Sequence, residues 1–312
     1  MIAPAGGLLD EATAAALLPE RDPRGHKGTF GRVVAVAGSL DYAGAALMAG
    51  AAALRAGSGL VTLCLPLSLQ PLLAGRVPEL VTHGLPEMAP FEVEATEAVA
   101  EVAALPTDAL LLGPGLRPGR DTTRLTTGLL ALEGPPAVVD AGALEALSHV
   151  PRWWTRLARP AVLTPHPGEL ARLGRVVSDD DGQRLATAGE AAAAWGCVVV
   201  LKGAHTVIAD PHGQVLLAPF ELPALGSAGS GDVLAGVIAS LVGQGLHPFA
   251  AAALGTYLHA RAGEDVSSHL GDAGLMATDL LPALPRARRQ LAAARARAGG
   301  GRLGFDAPRG RP

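Results

Sequence analysis

The residues best suited to chemistry in this chain form the segment 226–232, with the sequence Gly-Ser-Ala-Gly-Ser-Gly-Asp. Glycines let backbone N–H groups crowd around an anion, and a helix that starts there adds the positive end of its dipole. An apolar run at helical spacing begins at Asp232. A carboxylate beside an anion site can accept a proton from a hydroxyl group that attacks a bound phosphate. The alternative is a glycine-rich turn in which Asp232 only caps the helix.

The elements that must position this segment follow an alternating pattern. Short apolar runs of strand length lie at residues 32–37, 60–65, 109–112, 137–140, 161–163 and 197–201. Helical stretches lie between them, for example at 44–56, 121–132 and 180–195. The alternation predicts an α/β fold with a largely parallel central sheet flanked by helices on both faces. Toward the end, the pattern predicts a hairpin over 206–217 and helices over 232–244, 248–265 and 276–284.

Several residues that could take part in binding or catalysis lie at or just after the ends of predicted strands. They are Gly38 and Ser39, the Gly-Pro-Gly at 113–115, Asp140, His166, and Lys202 with Gly203. In an open parallel sheet the ligand lies outside the carboxyl ends of the strands. We therefore expect these residues and the segment 226–232 to meet along one edge of the sheet.

Composition narrows the class of protein. The 312-residue chain is 49% hydrophobic and 3% aromatic, and its formal net charge is −4. This charge gives no case for binding nucleic acid or a membrane, and no apolar run indicates a membrane span. The N-terminal residues lack the regions of a signal peptide, so we expect a cytoplasmic protein. Cys64 and Cys197 lie in apolar runs and predict buried thiols, not a metal site.

Together, these motifs resemble those of a known family. They are His-Lys-Gly-Thr-Phe-Gly at 26–31, Gly-Ala-Ala at 44–46, Gly-Pro-Gly-Leu at 113–116, Leu-Thr-Pro-His-Pro-Gly-Glu at 163–169, Leu-Lys-Gly at 201–203 and Gly-Ser-Gly-Asp-Val-Leu-Ala-Gly at 229–236. From about His26 to Leu284 the chain is similar to the ADP-dependent NAD(P)H-hydrate dehydratases, the carbohydrate kinase domain-containing family of the ribokinase-like superfamily. The Thr-Pro-His-Pro-Gly-Glu segment separates this family from ordinary sugar and vitamin kinases.

The resemblance implies a repair reaction. Water would be removed from the S epimer of NADH hydrate or NADPH hydrate, and ADP would be cleaved to AMP and phosphate. Asp232 would be the catalytic base that deprotonates the C6 hydroxyl group of the hydrate. Mg²⁺ would accompany ADP, the phosphoryl donor, and the resemblance assigns no protein ligand to the metal.

The resemblance also implies a role for each matching residue. The hydrate would contact Ala45, Gly115, His166 and Asp232. The nucleotide would contact Lys202, Gly203, Ala204, His205, Thr206 and Gly231. The anion hole would be formed by Ala228, Gly229, Ser230 and Gly231.

Other interpretations of four residues remain open. His166 is either a substrate contact or a loop histidine bonded to its own turn, and Lys202 is either a nucleotide contact or an exposed lysine at a strand end. Glu169 either organises metal-bound water or lies in the first turn of a helix, where an acid is favourable. Asp140 either supports the site from a strand end or plays no part in it.

The domain organisation follows from the extent of the resemblance. We predict an N-terminal segment at 1–25, a catalytic domain at 26–285 and a partly disordered tail at 286–312. Some relatives carry a fused epimerase domain, and the residues before His26 are too few for one. We therefore expect a separate NAD(P)H-hydrate epimerase as a partner. The family also implies a homo-oligomer, either a dimer or a tetramer.

Two features depart from the family pattern. Ala141 and Gly142 follow Asp140 where a second acid is common, which puts a metal role for that loop in doubt. The segment 220–225 is shorter and more apolar than usual, which leaves the details of nucleotide binding open.

Competing functions remain to be tested. A kinase of the same superfamily that acts on a small alcohol, such as hydroxymethylpyrimidine or hydroxyethylthiazole, would use the same Asp232 and anion hole. A non-catalytic protein that binds adenylates or dinucleotides would need the glycines but not Asp232. A Rossmann dehydrogenase and a P-loop NTPase are disfavoured, because neither glycine motif is present.

Overall fold

The computed structural model describes residues 7–300 of the chain. Its strands are β1 (Gly7–Leu8), β2 (Arg32–Val36), β3 (Leu60–Pro66), β4 (Val81–Leu85), β5 (Glu87–Ala89), β6 (Glu92–Val93), β7 (Ala109–Leu112), β8 (Ala137–Val139), β9 (Ala161–Leu163), β10 (Val198–Leu201), β11 (Val207–Ala209) and β12 (Val215–Leu217). Its helices are α1 (Glu11–Leu17), α2 (Ala43–Ala56), α3 (Gln70–Leu73), α4 (Ala95–Ala104), α5 (Arg120–Leu130), α6 (Ala141–Ser148), α7 (Pro167–Arg172), α8 (Asp181–Trp195), α9 (Ser230–Gly243), α10 (Pro248–Leu270) and α11 (Ala277–Gly300). Short 3₁₀ helices lie at Trp153–Arg156 and Pro223–Leu225.

Ten of these strands form one sheet in the order β1-β12-β11-β10-β9-β8-β7-β2-β3-β4. The seven strands from β10 to β4 in this order run parallel to one another, as predicted. Strands β11 and β12 form the predicted antiparallel hairpin. The parallel arrangement places the carboxyl ends of β10, β9, β8, β7 and β2 side by side at one edge.

Helices cover both faces of the sheet, which is why strands β7, β8, β9 and β10 are apolar at every position. In β2, Val33 and Ala35 belong to the core under α1, α2, α9, α10 and α11. The alternate residues Val34 and Val36 belong to the core under α4, α5, α6 and α8. The predicted helix over 44–56 matches α2 within one residue.

Strand β4 and helix α4 are among the elements that the sequence analysis missed, and their composition explains why. Strand β4 has the sequence Val-Thr-His-Gly-Leu and lies at the edge of the sheet, where half-exposed polar residues interrupt the apolar pattern. Helix α4 is a ten-residue, Ala- and Glu-rich segment that buries only Ala95, Ala98 and Val102. Neither carries the strong periodicity on which the predictions depended.

The helix predicted to end near Leu284 is longer than expected and reaches Gly300. Pro282 and Pro285 lie inside it, but Ala287, Leu291 and Ala294 continue a buried apolar face beyond them. Packing therefore extends α11 into the part predicted to be a partly disordered tail, because burial outweighs the cost of the prolines. The rest of that tail, residues 301–312, lies outside the described residues, as do residues 1–6.

The N-terminal segment is joined to the rest of the fold. Strand β1 pairs with β12, and α1 buries Ala14 and Ala15 in the core shared with α11. The side chains of Arg288 and Arg295 donate hydrogen bonds to the carbonyl oxygens of Pro19 and Leu18. These contacts make the segment part of the same packed unit as the predicted catalytic domain.

The prediction of buried thiols is confirmed. Cys64 and Cys197 are free cysteines in the core, and burial raises the pKa of both thiols to about 12. Within residues 7–300, every helix falls short of the length or the apolar character that crossing a bilayer would require.

Candidate functional site

A cavity of about 860 Å³ lies at the carboxyl edge of the sheet. Asp140 follows β8, His166 follows β9 and Lys202 follows β10, and all three line the cavity. The first turn of α9 closes one side with Ser230, Gly231 and Asp232. The expected meeting of strand-end residues is thus observed at three adjacent strands, although α9 follows a 3₁₀ helix and not a strand.

The glycine-rich segment forms the start of α9. Gly229 is the N-cap residue, with a φ of +89°, and no side chain caps the helix. A Cβ at Gly229 would lie 2.8 Å from the Met48 sulfur and 3.1 Å from the Ala277 Cβ, so a side chain there would have to displace its neighbours. The Ser230 N–H donates to the Ser227 carbonyl oxygen at 3.3 Å, so within the described residues the N–H groups of Gly231 and Asp232 are left for a ligand, and the helix dipole favours an anion there.

Asp232 does not act as a helix cap. No hydrogen bond joins its carboxylate to any residue in the described range, which argues against the alternative that it serves only the turn. Burial raises the pKa of Asp232 to about 7, and repulsion from Asp140 adds to this effect while Lys202 opposes it. A carboxylate with a pKa near neutrality is suited to take up and release a proton at physiological pH.

Lys202 holds the carboxylates of the site together. Its Nζ donates to Asp140 Oδ1 at 2.8 Å and lies 3.6 Å from Glu169 Oε2. Burial lowers the pKa of the Lys202 ammonium, but attraction to Asp140 and Glu169 outweighs burial, so the pKa is raised. Thr164 Oγ1 donates to the same Asp140 oxygen at 2.7 Å. Asp140 and Glu169 are therefore buried partners of a fixed ammonium group, and not bystanders.

The ammonium of Lys202 also faces the start of α9. A Cβ built on Gly231 would lie 3.2 Å from Lys202 Nζ, so the lysine approaches the helix at its first turn. A positive charge there adds to the helix dipole in favour of a bound phosphate. Lys202 is thus a partly buried group and not an exposed strand-end lysine.

His166 and Glu169 form a capping box at the start of α7. His166 Nδ1 accepts from the N–H groups of Gly168 and Glu169 at 3.0 and 3.3 Å, and Glu169 Oε2 accepts from the His166 N–H at 2.8 Å. Since Nδ1 accepts, Nε2 carries the proton in the neutral ring. His166 is therefore bonded to its own turn and also lines the cavity.

The structure brings most of the predicted site residues to the cavity wall. Those that line it are His166, Lys202, Gly203, Ala204, Thr206, Gly229, Ser230, Gly231 and Asp232. Four of the predicted residues lie outside its lining: Ala45, Gly115, His205 and Ala228.

Ala45, in the first turn of α2, approaches Gly115, in the loop after β7. Gly115 has a φ of +69°, and a Cβ there would overlap the Tyr42 carbonyl oxygen and lie 3.0 Å from the Ala45 Cβ. Only glycine fits this close approach in the left-handed region. The pair forms a second concentration of small residues on the same edge of the sheet as the cavity.

His205 forms a bridge outside the cavity lining. Its Nδ1 lies 2.7 Å from Asp181 Oδ2 and its Nε2 lies 3.1 Å from Glu221 Oε1. Glu221 lines the cavity, whereas Asp181 is the first residue of α8. His205 thus ties one loop of the cavity wall to α8.

The side chains available as metal ligands decide how the site could hold a divalent ion. Over residues 7–300, no three His, Cys, Asp or Glu side chains cluster so that they could hold a metal ion. Asp140 and Glu169 already share the Lys202 ammonium. Their carboxylate oxygens are ligands of the kind that Mg²⁺ prefers. This ion commonly binds through one or two carboxylates together with substrate phosphates. The site therefore fits an ion that arrives with the nucleotide, not one in a protein cage.

Among the cavity residues that the sequence analysis missed, two are polar side chains of α10, Thr256 and His259. They lie three residues apart, so they share one face of the helix. The available signal was their polarity within an otherwise apolar helical stretch.

Comparisons with known proteins identify the family of this chain. A family model described as NAD(P)H-hydrate dehydratase matches residues 33–286. The chain belongs to the NAD(P)H-hydrate dehydratase family. It is 46% identical over 287 residues to the bifunctional NAD(P)H-hydrate repair enzyme Nnr of Moorella thermoacetica, covering 91% of this chain and 54% of that protein.

Two further relatives of this dehydratase-family chain are matched over nearly their whole length. The ADP-dependent (S)-NAD(P)H-hydrate dehydratase of Xanthomonas campestris is 37% identical, with 88% of this chain and 94% of that protein covered. The crystal structure of the ADP/ATP-dependent NAD(P)H-hydrate dehydratase of Bacillus subtilis, co-crystallised with ATP/Mg²⁺, has a TM-score of 0.79 at 32% identity, covering 92% of this chain and 99% of that one. The predicted ribokinase-like fold is confirmed.

The lengths of the relatives differ. The chain spans about half of the bifunctional repair enzymes that it matches, for example 54% of the Moorella protein and 53% of the Thermofilum pendens protein.

Proposed function

We propose that this protein is an ADP-dependent (S)-NAD(P)H-hydrate dehydratase, a lyase that regenerates NADH and NADPH from their hydrates. The observation that carries the proposal is Asp232, a carboxylate with its pKa raised to about 7, at the edge of an anion site in a large cavity. Membership of the dehydratase family supports it.

The proposed reaction uses this carboxylate as a base. Asp232 takes the proton of the C6 hydroxyl group, whose oxygen attacks the terminal phosphoryl group of ADP. A C–O–P linkage forms, the phosphoanhydride bond breaks and AMP leaves. The phosphate group then departs from C6 with the electron pair of the C–O bond while the ring nitrogen lone pair forms a C=N bond, and loss of a proton from C5 to solvent forms the C5=C6 double bond of the dihydropyridine ring. The products are NAD(P)H, AMP and phosphate.

Groups of the protein stabilise the charges that arise during these reaction steps. The N–H groups at the start of α9 stabilise the negative charge of the transferring phosphoryl group. Lys202 adds a positive charge beside that turn and keeps Asp140 and Glu169 neutralised. Bound with the nucleotide, Mg²⁺ would neutralise part of the phosphate charge, and Asp140 and Glu169 are the carboxylates available to it.

Several narrower predictions belong to the same proposal. The nucleotide contacts are Lys202, Gly203, Ala204, Thr206 and Gly231, with His205 acting through the loop that carries Glu221. Cytoplasmic location, a dimeric or tetrameric assembly and a separate NAD(P)H-hydrate epimerase stay predictions from the resemblance.

The proposal is tested by the absorbance at 340 nm after the protein is mixed with S-NADH hydrate, Mg²⁺ and ADP. We expect NADH absorbance to return, with one AMP and one phosphate released per NADH formed. The same assay with ATP identifies the preferred donor. Nucleotide binding without recovery of NADH would contradict the proposal, and a phosphorylated small alcohol formed instead would identify a kinase.

The role of Gly115 is tested by Gly115→Ala. The added Cβ would overlap the Tyr42 carbonyl oxygen, so the edge beside Ala45 must shift. We expect the KM for NADH hydrate to rise by about tenfold or more, with the Kd for ADP unchanged, since Gly115 lies outside the nucleotide cavity. Gly174→Ala is the matched control, because Gly174 has a φ of +91° but open space around it. A rise in KM as large in the control would show that backbone strain alone is responsible.

A further inference from the structure

Arg184 is a buried cation that lies behind the turn after β10. It belongs to the start of α8, and the residue is 3% exposed. Its Nη2 donates to the carbonyl oxygens of Leu201 and Lys202, at 3.2 Å in each case. A Cβ built on Gly203 would lie 3.0 Å from the same nitrogen. The guanidinium group is therefore packed directly against the backbone that carries Lys202.

This position is unfavourable for the arginine itself. Burial lowers the pKa of the Arg184 guanidinium, and attraction to Asp181 and Asp179 opposes this effect without cancelling it. Asp181 pairs with His205 instead. Within residues 7–300 no carboxylate forms an ion pair with Arg184, and its buried Nε has no hydrogen-bond partner. Burying a charge without a close counter-ion costs free energy, so the two carbonyl contacts must have a purpose beyond stabilising the arginine.

The peptide group between Leu201 and Lys202 is held from both sides. Its carbonyl oxygen accepts from Arg184. Its N–H group points the opposite way in a trans peptide and donates to the Pro165 carbonyl oxygen at 2.9 Å. The next peptide is also held, because Arg184 bonds the carbonyl oxygen of Lys202 itself. Both peptides that flank the Lys202 Cα are thus fixed, and with them the direction in which its side chain leaves the backbone.

That direction matters because the Lys202 ammonium group acts over short distances. Its Nζ lies 2.8 Å from Asp140 Oδ1 and 3.6 Å from Glu169 Oε2. A Cβ built on Gly231, at the start of α9, would lie 3.2 Å from the same nitrogen. A lysine side chain is flexible and strongly hydrated, so it does not keep such a position unaided. A shift of about 1 Å at its Cα would break the hydrogen bond to Asp140.

We propose that Arg184 is a positioning residue for Lys202, holding the end of β10 so that the ammonium group meets its carboxylate partners and the start of α9. Arg184 lies outside the cavity lining and acts through the backbone, not on a ligand. The consequence for ADP binding rests on the proposed function, whereas the consequence for the ion pairs of Lys202 does not.

The first test is Arg184→Met, with ADP binding measured by calorimetry in the absence of the hydrate. Methionine keeps an unbranched apolar stem but cannot donate to the two carbonyl oxygens. We expect the Kd for ADP to rise about tenfold, because the ammonium group is no longer held beside the phosphates. In a Lys202→Met background the same change should alter the Kd by less than about threefold, since the group through which Arg184 acts is gone. A tenfold rise in that background as well would overturn the inference.

Arg159→Met is the matched control. Arg159 is 8% exposed and donates to the carbonyl oxygens of Leu132 and Pro135, and a Cβ built on Gly134 would lie 3.2 Å from its Nη2. The turn that it supports joins α5 to β8 and carries no residue of the cavity lining. The control should lose stability as Arg184→Met does but keep the ADP affinity of the unaltered protein. An equal loss of ADP affinity in both variants would show that general destabilisation is responsible.

Arg184→Lys tests the same contacts with a conservative change. A lysine ammonium group has three N–H donors, so one nitrogen can still serve both carbonyl oxygens, as Nη2 does in the unaltered protein. We expect this variant to recover most of the ADP affinity that Arg184→Met loses. No recovery in a variant that circular dichroism shows to be folded would contradict the role of the two hydrogen bonds.

Melting temperatures test the inference without any ligand. If Arg184 acts through Lys202, the fall in melting temperature of the variant with both Arg184→Met and Lys202→Met should be smaller than the sum of the two single falls, by about 2–4 °C. The falls caused by Arg159→Met and Lys202→Met should be additive. Additive falls in both pairs would overturn the inference but leave the proposed function standing. If the unaltered protein does not bind ADP, the proposed function fails, and the melting temperatures alone decide this inference.

Discussion

Replacing Asp232 by Asn should lower the rate of NADH recovery by 10²- to 10⁴-fold, the usual contribution of a general base. ADP affinity should stay the same or increase, because a carboxylate beside the phosphates is removed. Initial rates at 340 nm and calorimetry with ADP separate the two effects. Asp279→Asn is the control, since Asp279 also lies in the first turn of a helix but accepts a capping hydrogen bond from the Met276 N–H. A loss of rate of similar size in Asp279→Asn would contradict the role of Asp232 as the general base.

The raised pKa of Asp232 also predicts a dependence on pH. Below a pH of about 7 the carboxyl group is protonated and cannot act as a base, so the rate should rise as the pH increases through about 7. The stability effect has the opposite sign. Between the ordinary value of 3.8 and about 7, the folded state holds a proton that the unfolded state has lost. The free energy of unfolding therefore falls as the pH rises through this window.

This relationship gives Asp232→Asn a second measurable signature. The variant lacks the ionisation, so its stability advantage over the unaltered protein should grow from pH 4 to pH 7 and then stay constant. Melting temperatures measured across that range check it. If the variant is less stable than the unaltered protein at pH 8, ionised Asp232 does not destabilise the folded state, and the raised pKa is contradicted.

Replacing Lys202 by Met should destabilise the fold by about 3 kcal/mol, because it leaves buried carboxylates without their cation. The side chain of Asp140 is 2% exposed and that of Lys202 is 18% exposed, so solvent cannot substitute for the lost pair. Lys202 lowers the pKa of Asp232, so its removal should raise that pKa above about 7. The rise in rate should then move to a higher pH, and ADP affinity should fall sharply.

Chemical denaturation and a pH–rate profile test the effect of Lys202→Met. Arg32→Met is the matched control, because Arg32 and Asp108 form a pair whose side chains are 39% and 34% exposed. An exposed pair of that kind contributes little to stability. Lys202→Arg, which keeps the charge, should restore part of the stability. Equal losses of stability in Lys202→Met and Arg32→Met would show that the buried network has no special weight.

Much of the fold could be predicted because strand and helix patterns are local. The buried parallel strands are continuous apolar runs, and the long helices carry the 3.6-residue period. The prediction was least successful where tertiary contacts decide. The continuation of α11 beyond Pro285 depends on the buried face of Ala287 and Leu291, which no local rule for proline includes.

The sequence by itself determined the proposed anion site and its carboxylate. Gly229, Ser230, Gly231 and Asp232 are consecutive, so their placement at the start of one helix follows from local geometry. The motifs at other strand ends were equally local, and they sufficed to indicate the family.

Only the tertiary structure decided how that carboxylate behaves. Lys202 and Asp140 are 62 residues apart and become partners because β10, β9 and β8 lie side by side. The pKa of Asp232 depends on burial and on charges carried by those separate strands. Thr256 and His259 enter the cavity because α10 packs beside α9. Electrostatic energy depends on distance and solvent access, and both are set by the packed fold and not by the order of residues.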